Sequence, residues 1–289
     1  MSEVAAEKAC AKLNISLDVG AKRPDGYHDM VMVMQTVSLC DAVSIRKAER
    51  PGVRSYCDLP YIPTGEKNLA TRAAMAYLER IGHPEQGIRI DIKKHIPVGA
   101  GMGGGSSDAA AVLRGMNTLY GNALSLDELE ELAAGIGSDV PFCVRGGTAL
   151  AKGRGEVLTA LTAMPECRIV ICKPDFSIST PELFKKLDGA RVRRHPDTGG
   201  LLKALEDGDL KNVCRRMYNV FEDLEDRRMR VTASIKSTML DHGALGAVMT
   251  GTGSAVFGVF EPDAELAELE KILTDETGFC EIAECVKRL

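Results

Sequence analysis

From Pro97 to Asp108 the chain reads Pro-Val-Gly-Ala-Gly-Met-Gly-Gly-Gly-Ser-Ser-Asp. Gly99, Gly101, Gly103, Gly104 and Gly105 fall within seven residues, so this backbone can turn tightly and approach a ligand with no Cβ in the way. Apolar residues at 109, 112, 113, 116 and 120 predict a helix directly afterwards. The unpaired amides and dipole of its first turn would favour an anion. Ser106 and Ser107 add hydroxyls suited to a phosphate oxygen or to the shell of a magnesium ion. A tight serine-capped turn would need fewer glycines, so the chemistry expected here is phosphate binding.

Other chemistry-bearing residues are less specific taken singly. Lys12 and Asn14 alternate with Leu13 and Ile15 and fall on one face of a strand. Tyr27 and His28 close a polar loop, Arg23-Pro24-Asp25-Gly26-Tyr27-His28, in a chain with six Tyr, seven Phe and no Trp. Asp139 stands in Gly137-Ser138-Asp139-Val140-Pro141-Phe142, where a turn or helix-cap role is the plain alternative to catalysis. These residues alone leave both readings open.

The elements that must position them follow from hydrophobic periodicity. Residues 12–19 alternate as a half-buried strand, and β-type runs follow at 31–37, 42–46 and 88–92. Helices are expected over 66–81, 106–120 (capped by Ser106 or Ser107) and from the Ser125–Glu128 capping box to about Ala134. After Pro165 the pattern restarts with a strand at 168–172. Helices near 181–187, 199–206, 208–217 and 230–242 follow, then strands near 245–250 and 254–260, a helix at 263–275 and a terminal strand. Strands and helices mix without strict βαβ alternation. The expectation is an α+β protein of two subdomains, residues 1–160 and 161–289.

Composition excludes several classes. With 45% hydrophobic residues and a net charge of −5, the 289-residue chain is neither disordered nor an evident nucleic-acid binder. No apolar run approaches the ~20 residues of a membrane span, and residues 1–13 lack the apolar block of a signal peptide. A cytoplasmic protein, monomeric or homodimeric, is expected. The nine cysteines, including Cys-x4-Cys spacings at 167/172 and 280/285, are read as reduced, mostly buried thiols, and no metal ligand set is assigned.

No Gly-Lys-Ser/Thr tripeptide occurs, which excludes a Walker A loop. Residues 99–104 satisfy Gly-x-Gly-x-x-Gly, but the capped helix at 125 stands where a dinucleotide fold needs its next strand. Pro97 through Ala110 instead resembles the central motif of the galactokinase, homoserine kinase, mevalonate kinase and phosphomevalonate kinase (GHMP) superfamily. Ala11-Lys12-Leu13-Asn14 resembles its first motif, and Met249-Thr250-Gly251-Thr252-Gly253-Ser254-Ala255 its third. Arg23 to His28, Gly137 to Phe142 and Thr180-Pro181-Glu182-Leu183-Phe184 are similar to one branch of it, which phosphorylates the 2-hydroxyl of a sugar alcohol carried on cytidine diphosphate, in the non-mevalonate route to isoprenoids. Met102, where leucine is usual, is an apolar swap of similar volume.

The resemblance implies a two-subdomain GHMP-kinase fold, with a deep cleft between an N-terminal ATP-binding and a C-terminal α/β subdomain. It implies an ATP- and Mg2+-dependent kinase of a small-molecule alcohol, with Asp139 as base and Lys12 as its cationic partner. Pro97, the five loop glycines, Ser106, Ser107 and Asn68 would hold the nucleotide. For Asn68 and the lysines at 93–94, solvated surface is an equal alternative. Asn14, Tyr27, His28, Thr180 and Phe184 would hold the acceptor, with Tyr27 and Phe184 sandwiching the cytosine and His28 reading its edge. His83, His95, His195 and His242 are expected at the surface, and the run 191–195 in a solvated loop. A homoserine- or mevalonate-type kinase and a non-catalytic nucleotide-binding module are the alternatives.

Overall fold

The computed structural model describes residues 4–190, 192 and 194–288; Arg191 and Arg193 of the expected solvated loop lie outside them. Two long strands, β1 (Val4–Lys22) and β2 (His28–Ala48), form an antiparallel hairpin whose register runs from Val4 opposite Arg46 to Lys22 opposite His28. The runs expected at 31–37 and 42–46 are therefore one strand. Next come β3 (Val53–Cys57), α1 (Leu69–Arg80), β4 (Gly87–Lys93), α2 (Gly104–Leu119), α3 (Leu126–Ala134), α4 (Val140–Arg145), β5 (Thr148–Lys152) and β6 (Val157–Ala160). The chain continues through β7 (Arg168–Cys172), α5 (Thr180–Gly189), α6 (Thr198–Glu206), α7 (Leu210–Cys214), β8 (Tyr218–Asn219) and α8 (Arg227–Asp241). It ends with β9 (Gly246–Met249), β10 (Val256–Phe260), α9 (Ala267–Thr277) and β11 (Cys280–Glu284).

The strands form two sheets. One has the path β3-β4-β2-β1-β8, with β5 pairing both β2 and β6; the other has the order β11-β7-β10-β9. Helix α2 packs on the first sheet through Ala109, Val112, Leu113 and Met116, all fully buried beside Ile45 and Ile90. Each such Leu or Ile removed from water contributes about 1.5–3 kcal/mol. The short β8 runs parallel to β1 at Ser16 and Leu17, which ties the second half of the chain onto the first sheet.

Strand β1 departs from the half-buried expectation. Every residue from Ala9 to Leu17 is buried, the polar Lys12, Asn14 and Ser16 included. Leu13 and Ile15 pack in a cluster with Ile169, Ile171 and Phe257 of the second sheet. The Lys12–Asn14 face is covered as well, by the glycine turn after β9. Alternation is retained, but the polar face meets protein rather than water.

The cysteine reading is also corrected. Cys10 and Cys40 face each other across β1 and β2 with Cα atoms 4.0 Å apart and are joined by a disulfide. Strand register, which spacing along the chain does not reveal, makes them neighbours. The same rule pairs the two Cys-x4-Cys segments: Cys172 lies opposite Cys280 on β7 and β11, and the Cys167 and Cys285 sulfurs are 3.7 Å apart. The other seven cysteines are free.

Helix α2 starts earlier than expected. Gly103 takes the N-cap position at φ +70°, so neither Ser106 nor Ser107 is the cap. The Ser125–Glu128 capping box forms as read. Among the described residues no helix is long and apolar enough to cross a membrane.

Candidate active site

Two glycine turns interlock at the centre of the molecule. Ala255 N donates to the Ala100 carbonyl, and Thr250 Oγ1 to that of Gly101. A Cβ on Gly101 would lie 2.3 Å from the Thr250 carbonyl oxygen, and one on Gly251 would lie 2.7 Å from that of Gly101. Backbone approaches this closely admit only glycine.

Strand β1 brings Lys12 and Asn14 to this junction. Lys12 N donates to the Met102 carbonyl, and its side chain runs beneath Gly103, where a Cβ would sit 3.1 Å from Lys12 Cγ. Lys12 Nζ donates to Asn14 Oδ1 at 2.7 Å and lies 3.6 Å from Asp139 Oδ2. Asn14 is fully buried: Oδ1 also accepts from Gly251 N, and Nδ2 donates to Met32 Sδ. This corrects the substrate-binding reading of Asn14, whose side chain fixes the lysine and the second glycine turn and does not line the cavity.

Asp139 occupies the N-cap position of α4 but makes no capping hydrogen bond. Its carboxylate, 30% exposed, faces Lys12 and a cavity of about 730 Å3. Gly101, Gly103, Ser106, Gly251 and Thr252 border this cavity alongside the Lys12–Asp139 pair. Tyr27, His28, Thr180, Phe184 and Phe221 also line it, as do Leu17, Met30 and Met32. Four cationic side chains, Lys12, Lys22, Arg154 and Lys185, meet two carboxylates, Asp139 and Asp188. A chain of net charge −5 thus presents a locally basic cleft, which suits an anionic ligand.

The expected acceptor residues come from distant segments. His28 opens β2, and its ring stacks on Phe184 of α5 with centroids 5.2 Å apart; Phe184 packs edge-on against Phe221. Tyr27, 55% exposed, lies under the Arg154 guanidinium, 5.1 Å from the ring centroid. Thr180 Oγ1 lies 2.8 Å from Thr252 Oγ1, joining the start of α5 to the second glycine turn. Arg154, Lys22, Lys185 and Asp188 were missed by sequence reasoning. Arg154 sits in the turn between β5 and β6, and Gly153 and Gly155 beside it were the only local signal.

Not every expected nucleotide residue reaches the cavity. Ser107 is corrected: its hydroxyl donates to the Cys10 carbonyl and is buried, because the helix turns it toward β1 while Ser106 faces the cavity. Asn68 caps α1, accepting from Ala70 N and donating to the Pro63 carbonyl, and is not among the residues that border this cavity. Lys93 borders a separate groove of about 720 Å3 with Tyr56, Cys57 and Asp58. Pro97 is half-buried at the entry to the loop, Gly99 abuts Ser177, Gly104 abuts Lys94 and Ile96, and Gly105 is exposed. His83, His95, His195 and His242 are exposed as expected.

Behind the loop lies a buried ionic cluster. Lys94 Nζ bridges Asp41 and Asp108, and Asp41 Oδ1 also accepts from the backbone amides of His95 and Ile96. Burial pushes the Asp108 carboxyl up to about 7 against the opposing pull of Lys94. Burial would lower Lys94, but Asp108 and Asp41 together raise it. The cluster ties the strand that enters the glycine loop to the helix that leaves it.

Residues 68–147 match the family model of the GHMP kinases N-terminal domain, and residues 201–278 that of the GHMP kinases C-terminal domain. The chain is 46% identical over 253 residues to a 4-diphosphocytidyl-2-C-methyl-D-erythritol kinase of Caldicellulosiruptor saccharolyticus, covering 88% of this chain and 87% of that one. It is 43% identical over 283 residues to the Geobacillus kaustophilus protein of the same name, covering 98% and 96%. A crystal structure of a 4-(cytidine 5'-diphospho)-2C-methyl-D-erythritol kinase superposes with a TM-score of 0.79 at 33% identity, over 97% of this chain and 98% of that one. The homoserine kinase of Cytophaga hutchinsonii, at 21% identity and a TM-score of 0.80 over 100% and 96%, shares the fold. With both domain models matched and such identity along most of its length, the chain belongs to the GHMP kinase family.

Proposed function

We propose that this protein transfers the γ-phosphoryl group of ATP to the 2-hydroxyl of 4-diphosphocytidyl-2-C-methyl-D-erythritol, a step of the non-mevalonate isoprenoid route. One observation carries the reading. The Lys12–Asp139 pair stands in a cavity bordered by the glycine loop on one side and by Tyr27, His28 and Phe184 on the other. A phosphate cradle and a base-binding wall flank one proton acceptor, as transfer between a nucleotide and a cytidine-linked alcohol requires. The names of the relatives support the same acceptor.

The hydroxyl oxygen attacks the γ-phosphorus, the bond to the β–γ bridging oxygen breaks, and ADP leaves. Asp139 Oδ2 takes the hydroxyl proton. A carboxylate is a weak base for an alcohol, so transfer comes late, as the new P–O bond forms. The Lys12 ammonium, 3.6 Å from Asp139 Oδ2, stabilises the negative charge that develops on the attacking oxygen. The amides and Ser106 of the glycine loop hold the phosphates, and Lys22, Arg154 and Lys185 balance the diphosphate of the acceptor. Tyr27 and Phe184 flank the cytosine, and Thr180 lies near the same substrate.

Among the described residues no group of three His, Cys, Asp or Glu side chains could hold a metal ion. Mg2+ commonly rides on substrate phosphates with few protein ligands, and the cavity has room for that arrangement. When bound, the ion neutralises charge on the phosphates. The subdomains divide near residue 160 in this reading, supported by the passage from β6 of one sheet to β7 of the other. A cytoplasmic location accords with soluble substrates.

The test is ATP consumption with the cytidine-linked acceptor, mevalonate, homoserine and galactose in parallel. Turnover confined to the first is expected. Turnover of another alcohol, or of none, would overturn the reading.

A further inference from the structure

Phe184 and Asp188 are four residues apart on α5, so both fall on the helix face that meets His28. Phe184 stacks on the imidazole, and Asp188 Oδ1 lies 2.7 Å from His28 Nε2. The other carboxylate oxygen accepts from Lys22, the residue paired with His28 across β1 and β2. His28 is 8% exposed, and among the described residues no hydrogen bond reaches its Nδ1. Lys22 first, then His28, hold the Asp188 carboxyl below the usual carboxylate range.

An ionised carboxylate only accepts hydrogen bonds, so the nitrogen facing it must carry the hydrogen. A neutral imidazole with hydrogen on Nε2 has a lone pair on Nδ1. We propose that Asp188 sets base specificity through His28, by fixing the tautomer in which Nδ1 is offered to the substrate base as an acceptor. Cytosine presents an exocyclic amine, a donor, where uracil presents a carbonyl. The acceptor nitrogen pairs with the first and opposes the second, and a buried unpaired acceptor is costly. Asp188 touches no reacting atom; it is a positioning residue. The inference rests on the cytidine-linked acceptor proposed above.

Asp188→Asn tests it directly. Lys22 can only donate, so it holds the amide oxygen, and the amide nitrogen turns toward Nε2. Hydrogen then moves to Nδ1, which becomes a donor. The measurement is kcat/KM for the cytidine-linked alcohol and for its uridine analogue, with the ATP KM as control. In D188N the cytidine-to-uridine ratio is expected to fall by about tenfold or more through the acceptor KM, with the ATP KM unchanged. Asp188→Glu should restore part of the preference. If turnover is lost, CDP against UDP affinity by calorimetry reads the same ratio. A ratio within about twofold of wild type in D188N would overturn the inference and leave the function standing. A wild-type enzyme that ignores the cytidine substrate would overturn both.

Discussion

Asp139 holds the N-cap position of α4, yet its carboxylate turns away from the helix and lies 3.6 Å from the ammonium of Lys12, 127 positions earlier. A capping aspartate typically stabilises a helix by about 1 kcal/mol. Here that contribution is forgone for a charge pair at the wall of the cavity, the pattern expected where local stability is exchanged for chemistry.

Replacing Asp139 with Asn should leave the fold and ATP affinity intact and lower kcat by about 10²–10⁴-fold, the usual contribution of general-base assistance. Lys12→Ala acts in the same direction, and the double variant should be little worse than either single one, because the pair works as a unit. Steady-state kinetics beside ATP titration calorimetry decide it. A D139N enzyme with more than about a third of wild-type kcat would exclude Asp139 as the base.

Gly103→Val should abolish ATP binding while the protein stays folded. The residue has φ +70°, and its Cβ would press on the Lys12 side chain at 3.1 Å. Gly101→Val differs, since its Cβ would strike the Thr250 carbonyl at 2.3 Å and force the two glycine turns apart. Thermal unfolding should show Gly103→Val lowered by the strain of a β-branched residue at positive φ and Gly101→Val lowered further by its backbone clash, with calorimetry showing ATP affinity lost in the folded Gly103→Val protein.

Tyr27→Ala should raise the acceptor KM by about 5- to 150-fold, the range expected for one base–aromatic stack, and spare the ATP KM. Tyr27→Phe keeps the ring face and should be near wild type. Tyr27 is 55% exposed, so its removal leaves Tm almost unchanged. Phe184→Ala should raise the same KM and also lower Tm, since Phe184 packs on both His28 and Phe221. No rise in either variant would make these rings packing residues only.

The buried cluster behind the loop predicts a pH dependence of stability. Asp108 is held at about 7 in the folded protein, against an ordinary 3.8. Between those values the native state keeps a proton that the unfolded chain has lost, so stability falls as pH rises through this window. From pH 6 to pH 8 the loss is on the order of 1 kcal/mol, a few degrees in Tm. Asp108→Asn should flatten that slope, although its absolute Tm drops because the amide leaves buried donors unpaired. An unchanged slope in D108N would assign it to other groups.

Much of this molecule is legible in one dimension because its signals are local. Three glycines that lead into α2 and two that open it are a local pattern that predicts a backbone-lined anion site from sequence alone. The strand at 168–172 and the capping box at Ser125 depend on neighbours a few residues away, and both form as read. The three GHMP motifs together name the family.

What only the tertiary structure decides are contacts between segments far apart in sequence. The alternation of β1 places Lys12 and Asn14 on one face, but only packing of the second glycine turn makes that face buried and commits Asn14 to Gly251. Ser107 differs from Ser106 by about 100° of helix rotation, which sends one hydroxyl to the Cys10 carbonyl and leaves the other at the cavity. Strand register makes Cys10 face Cys40. Four cations gather in an acidic chain because β1, the β5–β6 turn and α5 converge there. Composition sums charge over the whole surface, whereas a site feels only the charges that folding brings within a few ångströms.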